Sequence, residues 1–138
     1  MFRLNFTSYV LGAGATEKLR RHEVTQTVRS KSSDIVVAVL NGYLDIGDPI
    51  EIFIDGEELG EAELSYWEGL SADELDEKDA QRGGFNTVAG IVLALRKAGY
   101  RFKALKDYDV FRVRFKWFLT VRTVKAYCED VKCFLVRS

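Results

Sequence analysis

Residues 107–118 read DYDVFRVRFKWF and carry the strongest secondary-structure signal in the chain. Apolar side chains occupy every second position from Phe111 to Trp117, and basic side chains occupy the positions between them. Because successive side chains of a strand point to opposite faces, the pattern predicts a long strand with one apolar face and one basic face. The basic row consists of Arg112, Arg114 and Lys116. Such a row is typical both of a solvated strand face and of a surface that contacts phosphate.

Most of the chain outside this stretch also favours strands. Apolar or alternating runs predict strands at residues 2–9, 25–29, 35–40, 50–54 and 59–67, and residues 119–138 read as one more strand or hairpin. The run at 35–40, IVVAVL, is rich in β-branched residues and therefore favours a buried strand. Asp55-Gly56 predicts a hairpin turn between the strands at 50–54 and 59–67.

Helix signals occur at fewer places. Thr16 follows Gly12 and Gly14 and is a candidate N-cap for a short helix that ends near Arg21. A second helix is predicted to begin at Ser71, which has capping-box spacing to Glu74, and to end at Gly83-Gly84. A third is predicted to follow directly, from a cap at Asn86 or Thr87 to Gly99, because apolar residues recur there at helical spacing.

The order of these elements predicts an α+β, mainly β fold. It is a small β-barrel with two consecutive helices inserted before the last strands. The carboxylates after Ser71 are expected to form the solvated, capped face of the first inserted helix. They are Asp73, Glu74, Asp76, Glu77 and Asp79.

The charged residues are unevenly distributed along an otherwise ordinary globular composition. The chain has 138 residues, 47% hydrophobic and 30% charged, with a formal net charge of −1. From Asp45 to Asp79 every charged residue except Lys78 is acidic, and from Arg82 to Lys106 every charged residue is basic. Such segregation favours a two-faced surface with one side able to approach phosphates, unless the charges intermix in the fold.

Several functional classes are disfavoured by the sequence. The longest apolar runs, 35–40 and 88–95, are too short to cross a bilayer, so no membrane association is expected. Cys128 and Cys133 are the only cysteines and His22 the only histidine, so we expect no metal site and no cofactor. The first ten residues do not resemble an export signal, which favours a cytoplasmic location with reduced thiols.

Residues 22–31, HEVTQTVRSK, form the most polar of the predicted strands. Alternation places Thr25, Thr27, Arg29 and Lys31 on one face, opposite Val28. Two hydroxyls, a guanidinium and an ammonium in one row can bind a polar or anionic ligand. The alternative interpretation is the solvated face of an edge strand.

In its order of elements and motifs, the sequence resembles the ASCH domains of the PUA-like superfamily. The resemblance spans residues 2–118 and depends on four short segments taken in order. They are Thr25-Gln-Thr27-Val-Arg29, Gly47-Asp48-Pro-Ile-Glu-Ile, Gly84-Phe85 and Val113-Arg-Phe115-Lys116. The resemblance implies a PUA-like β-barrel domain over residues 1–118. It does not account for residues 119–138, which we expect to form a C-terminal extension that packs on the same domain.

The resemblance also implies a function in RNA binding or modified-nucleotide binding, without catalysis. The family's ligand cleft lies between the barrel and the inserted helices. By this comparison and by the two basic rows, the candidate RNA- or ligand-binding residues are Thr25, Thr27, Arg29, Lys31, Gly84, Phe85, Arg112, Arg114 and Lys116. For Phe85 the alternative is a core position beneath the third helix, which is the more common place for such a residue.

Two alternatives differ from this interpretation. Some relatives resemble small amidohydrolases that act on a modified nucleoside such as acetylated cytidine. Their lysine falls at Val24 here and their glutamate near Gly83. The nearest substitutes are His22, Glu23, Lys18 and Asp79, none of which has the family spacing. A hydrolase would need Thr27 together with another base such as His22 or Glu23. No catalytic residue is therefore assigned. The other alternative is an interaction adaptor, in which residues 119–138 contact a partner or form a homodimer.

Overall fold

A computed structural model describes residues 1–118. The strands are β1 (Phe2–Phe6), β2 (Gln26–Ser30), β3 (Pro49–Ile54), β4 (Glu57–Ser71) and β5 (Asp109–Trp117). The helices are α1 (Ser8–Arg20), α2 (Asp34–Leu40), α3 (Glu77–Gly83) and α4 (Val88–Lys97), with short 3-10 turns at Ala72–Glu74 and Leu105–Asp107. The predictions made for residues 119–138, namely a strand or hairpin, packing on the domain and a dimer contact, lie outside the described residues.

The strands form one mixed sheet in the order β1-β3-β4-β5-β2, which curls into a half-barrel. β1 runs parallel to β3, and the other neighbouring strands are antiparallel. β5 lies between β4 and β2, with Phe115 opposite Leu64 and Val113 opposite Thr27. Helices α3 and α4 form the connection between β4 and β5. The predicted α+β, mainly β fold with two consecutive inserted helices is therefore confirmed.

Two clusters of buried side chains stabilise this arrangement. The first includes Phe115 from β5, Leu64 from β4 and Ile35 from α2. The second includes Ile91 and Leu95 from α4, which pack with residues of α3 and β5. Each large apolar side chain buried in this way contributes about 1.5–3 kcal/mol to stability. The alternation predicted for β5 agrees with its exposure, because Val113 and Phe115 are buried whereas Lys116 is exposed.

The prediction of a buried strand at residues 35–40 is wrong, because these residues form helix α2. Exposure follows a helical spacing: Val37 and Leu40 are exposed and the other four residues are buried. Because all six residues are apolar, this helical spacing is not visible in the sequence. A helix also satisfies the hydrogen bonds of its own backbone, so the segment needs no partner strand. The flanking residues carry the missed signal, since Asp34 occupies the first turn and the Asn41 side chain donates to Val37 O at 2.9 Å.

The prediction that the first helix begins at Thr16 is also wrong. Helix α1 begins at Ser8, directly after β1, which ends at Phe6. Gly12 has φ +81° and interrupts the helical backbone, so α1 consists of two helical segments that meet at this residue. The glycine therefore kinks the helix rather than preceding it.

The two inserted helices agree better with the sequence. The Ser71–Glu74 capping box is present, but it begins a 3-10 turn, and α3 follows after a second capping box formed by Asp76 and Asp79. Helix α3 ends at Gly83, and Gly84 takes the left-handed conformation that the predicted stop requires. The predicted cap of α4 is confirmed at Thr87. These helix ends position the residues that enclose the site described next.

Candidate functional site

A cavity of about 140 Å³ lies between β2, the first turn of α1 and the inserted helices α3 and α4. Its apolar wall is formed mainly by Val10, Leu11, Ile91, Ala94 and Leu95. Its polar side chains come chiefly from β2 and α3, and they are Gln26, Thr27, Arg29 and Asp79. Phe6, Phe85 and Tyr100 supply aromatic rings at the border. Aliphatic walls with a few convergent polar groups are typical of small-molecule sites.

Arg29 is the cation of the cavity wall. Its Nε donates to Thr27 Oγ1 at 2.8 Å, and its Nη2 donates to the backbone oxygen of Asn5 at 2.9 Å. The guanidinium carbon also lies 5.0 Å from the ring centroid of Phe6. Because Asn5 belongs to β1, the side chain connects the two edge strands of the half-barrel.

The guanidinium of Arg29 is half-buried without a neighbouring carboxylate to neutralise its charge in the described part of the chain. It forms no ion pair with a carboxylate of residues 1–118. Burial lowers the pKa of Arg29, against smaller opposing effects of Tyr100 and Asp34. An arginine nevertheless stays protonated at neutral pH, so the cavity contains a partly desolvated positive charge.

Asp79 and Gln26 form a buried network beside this charge. Both side chains are 1% exposed. Gln26 Nε2 donates to Asp79 Oδ1 at 2.9 Å, and Arg112 donates to both oxygens of Asp79, from Nε at 2.7 Å and from Nη2 at 2.8 Å. Burial by itself raises the pKa of Asp79, but the hydrogen bonds from Arg112 and Gln26 outweigh it and lower the pKa to about 2. Asp79 is therefore a permanent anion whose lone pairs are engaged, which makes it a poor proton acceptor.

The network extends over the basic row of β5. Arg112 also pairs with Glu68, which in turn accepts a hydrogen bond from the hydroxyl of Tyr66. Arg114 Nε donates to Gln26 Oε1 at 2.8 Å, and its guanidinium carbon lies 4.5 Å from the ring centroid of Tyr66. The hydrogen bond with Asp79 is the main cause that raises the pKa of Arg112.

The expectation that Asp79 belongs to a solvated helix face is therefore wrong. Its carboxylate faces Arg112 of β5, so the acidic and basic segments of the chain intermix at this point. A solvated helix face and a buried capping-box residue look alike in sequence, because both place acidic residues in the first helical turn.

Comparison with known proteins identifies the fold. No family model matches the sequence, and no curated protein matches it either. Two solved structures do match. One is the ASCH domain from Lactobacillus crispatus, at 16% identity and a TM-score of 0.56, over 84% of this chain and 79% of that one. The chain has an ASCH-like fold. The other structure is a protein of the family DUF984 from Enterococcus faecalis, at 17% identity and a TM-score of 0.52, over 78% of this chain and 72% of that one.

The ASCH-like fold brings some of the sequence-predicted binding residues together. Thr27 and Arg29 line the cavity from β2, and Phe85 lines it from the turn between α3 and α4. Gly84 is buried next to Phe85, where an added Cβ would lie 2.9 Å from Val24 Cγ2. The glycine thus permits the close approach of this turn to the strand region.

The other candidate residues lie elsewhere. Arg112 and Arg114 belong to the network behind Gln26 and Asp79, and they are occupied by contacts within the fold. The remaining three, Thr25, Lys31 and Lys116, are exposed and outside the cavity. Sequence reasoning missed Gln26, Asp79 and Tyr100 as cavity residues. Gln26 and Asp79 are separated by 53 positions, and no local pattern links them.

Of the four substitutes considered for a hydrolase, Asp79 lines the cavity and His22, Glu23 and Lys18 do not. His22 stacks on Trp117 with ring centroids 3.8 Å apart, and its Nε2 lies 2.8 Å from Leu59 O. Glu23 pairs with Arg21 at 2.6 Å on the exposed surface.

Two further searches concern residues 1–118. No group of three or more histidine, cysteine, aspartate or glutamate side chains in this part of the chain is arranged to hold a metal ion. None of the helices described has the length and apolar character that a bilayer crossing requires.

Proposed function

We propose that this ASCH-like protein binds single-stranded RNA or a modified nucleotide without catalysing a reaction. One base enters the cavity, and Arg29 binds the adjoining phosphate. The proposal uses the fold together with the geometry of the cavity, and it assigns the roles of ligand contacts to Thr27, Arg29 and Phe85.

The observation that carries the proposal is the isolated charge of Arg29. A partly buried charge is costly unless it is paired, and the carboxylates of residues 1–118 do not pair with this one. Its contacts with Thr27 and Asn5 use two of the five N–H groups of a guanidinium. The remaining donors suit an anion, and guanidinium–phosphate pairs are among the strongest hydrogen-bonded contacts.

The size and lining of the cavity support a single base as the buried part of the ligand. At about 140 Å³ it is smaller than the roughly 300–1,000 Å³ of sites that enclose a whole small molecule. Phe85 and the aliphatic side chains of α4 offer a surface for a planar ring. Stacking of a base on an aromatic side chain contributes about 1–3 kcal/mol.

Binding without chemistry is the function that the side chains support best. The carboxylate in the cavity, Asp79, has a pKa of about 2 and is held by Arg112. Within residues 1–118 the hydrogen bond of the Thr27 side chain is with Arg29 Nε, a donor and not a base. Hydrolysis of an amide needs a nucleophile or an activated water with a base in reach.

Fluorescence anisotropy with short labelled RNA and DNA oligonucleotides at low salt tests the binding proposal. Arg29→Ala is expected to weaken RNA binding about 10- to 100-fold, because a hydrogen bond to a charged group contributes about 1.5–3 kcal/mol. Arg29→Lys keeps the charge but loses the planar fork, so an intermediate loss is expected. Arg3→Ala is the matched control, because Arg3 lies 4.7 Å from the ring centroid of Phe53 but outside the cavity.

The proposal is refuted if no oligonucleotide binds at low salt, or if Arg3→Ala and Arg29→Ala weaken binding equally. Thermal unfolding of each variant separates a lost contact from a lost fold. Catalysis is tested by incubating the protein with acetylated cytidine and measuring free acetate. No release is expected, and turnover that depends on Thr27 would favour the hydrolase alternative.

A further inference from the structure

A second, more open depression adjoins the cavity at the end of β2. It has a volume of about 710 Å³. Its lining includes Ser30, Lys31, Ser32, Tyr100, Arg101 and Tyr108. We call these six residues the basic groove. Except for Lys31, none of them was singled out from the sequence as a binding residue.

The basic groove and the cavity are neighbours that share a lining residue. Tyr100 lines both of them, and it lies within electrostatic range of the Arg29 guanidinium. Along β2, Arg29 faces the cavity and the next two residues, Ser30 and Lys31, line the groove. The groove therefore begins one residue along the chain from Arg29.

The groove has the chemistry of a site for a phosphate and a ring. Lys31 and Arg101 are both exposed and positively charged. The hydroxyl groups of Ser30 and Ser32 hydrogen-bond to each other, with their oxygens 2.9 Å apart, which leaves one O–H of the pair as a donor on this wall. Tyr108 packs on Phe102 with ring centroids 4.6 Å apart, which holds an aromatic side chain in place. Cationic side chains that alternate with aromatic rings are typical of proteins that bind single-stranded nucleic acid.

The volumes of the cavity and of the groove indicate which part of a nucleic-acid ligand each of them can hold. The cavity has room for a ring but not for a nucleotide, so the sugar and phosphate of a bound nucleotide must remain outside it. The groove, at about 710 Å³, falls within the roughly 300–1,000 Å³ of sites that hold a whole small molecule. One opposing charge is present, because Asp109 also lines the groove.

We propose that the basic groove binds the nucleotide next to the one whose base enters the cavity. Lys31 and Arg101 bind the phosphate that links the two nucleotides, whereas Arg29 binds the other phosphate of the cavity nucleotide, the one that a nucleoside monophosphate also carries. This inference rests on the proposed function and names its ligand more closely, as a strand of at least two nucleotides. Arg29 then contributes to the binding of any nucleotide, whereas Lys31 and Arg101 contribute only when the strand continues.

The test compares nucleoside monophosphates with the corresponding RNA hexanucleotides as ligands, using calorimetry and anisotropy over a range of salt concentrations. The double variant Lys31→Ala/Arg101→Ala is expected to bind the hexanucleotide at least tenfold more weakly. Its salt slope is expected to fall by about 0.7 for the lost phosphate contact. Binding of the monophosphate is expected to stay within twofold. The control Arg21→Ala/Lys78→Ala removes two exposed charges that line neither site and is expected to leave hexanucleotide binding within twofold.

Asp109→Asn provides a check in the opposite direction, since removing the opposing carboxylate is expected to tighten hexanucleotide binding and leave monophosphate binding unchanged. The groove proposal is overturned if Lys31→Ala/Arg101→Ala binds the hexanucleotide as well as the unmodified protein while Arg29→Ala weakens both ligands. In that case the proposed function stands. If Arg29→Ala weakens neither ligand, the proposed function itself is wrong.

Discussion

Asp79→Asn removes the negative charge that Arg112 and Gln26 surround behind the cavity. Asparagine keeps the size of the side chain, but it replaces one of the two oxygen acceptors by an NH2 donor. The change therefore removes the charge together with the hydrogen bonds that this oxygen accepts. The folded state holds the pKa of Asp79 at about 2, against 3.8 for an ordinary aspartate. The difference is 3.8 − 2 = 1.8, and at about 1.36 kcal/mol per pKa unit the ionised carboxylate contributes about 2 kcal/mol to the free energy of unfolding.

The sign of the pH dependence follows from the lowered pKa. The contribution is fully present above the unfolded-state pKa of 3.8 and is lost as the pH falls through about 2. Asp79→Asn is therefore expected to destabilise the protein by about 2 kcal/mol at pH 7. By pH 3 about half of this difference should remain, and near pH 2 it should be small.

Urea unfolding curves at pH 7, 5, 4 and 3, measured on both proteins, provide the assay. Asp73→Asn is the matched control, because Asp73 is exposed in the turn that precedes α3, and it is expected to change stability by less than about 0.5 kcal/mol. A difference between Asp79→Asn and the unmodified protein that is the same at pH 7 and pH 3 would refute the reasoning. The lost stability would then come from packing rather than from the charge.

Two further pairs of substitutions test the glycine turn and the helix caps. Gly84→Ala is expected to lower stability by more than about 1 kcal/mol, because Gly84 has φ +85° and a Cβ would lie 2.9 Å from Val24 Cγ2. Gly14 is helical, and a Cβ added there would have no heavy atom of the surrounding structure within 4 Å. Gly14→Ala is therefore expected to raise stability by about 0.4–1 kcal/mol. Equal changes in stability for Gly84→Ala and Gly14→Ala would contradict this reasoning. Thr87→Ala is expected to cost about 1 kcal/mol, since Thr87 Oγ1 accepts an N–H of α4 at 3.3 Å. Thr7 caps α1 without a side-chain hydrogen bond. A larger loss of stability in Thr7→Ala than in Thr87→Ala would therefore refute the role assigned to the Thr87 side chain. Thermal and urea unfolding measure all four.

Helix α2 shows why part of the fold could not be predicted. Its six apolar residues, 35–40, have no polar neighbour between them, so neither a period of two nor a period of 3.6 is visible. In the structure the sheet is formed without this segment, and Val37 and Leu40 are left exposed. The residues that flank the run, Asp34 and Asn41, indicated a helix more reliably than the run itself.

The candidate site was predictable only in part, for a similar reason. Thr27, Arg29 and Phe85 could be singled out from local pattern and resemblance, and all three line the cavity. Gln26 lies on the same strand but was not singled out, because its partners Asp79 and Arg114 are distant in sequence. A ligand role for these residues stays a prediction until binding is measured.

The sequence by itself determined the features that depend on neighbouring residues. These are the alternation of β5, the hairpin turn at Asp55-Gly56, the cap at Thr87 and the helix stop at Gly84. Each follows from the backbone geometry of a few adjacent residues, which local composition controls.

Tertiary contacts were needed to tell which arginines of the predicted strands pair with a carboxylate of residues 1–118 and which do not. Arg29 and Arg112 look equivalent in sequence, since each is a basic residue in a predicted strand. Arg112 lies opposite Glu68 in the sheet, 44 residues away in sequence, and it contacts Asp79, which is 33 residues away. Arg29 lies opposite Phe111 instead. The physical reason is that charge pairing depends on strand register and on helix packing, which bring distant residues together and which no local pattern encodes.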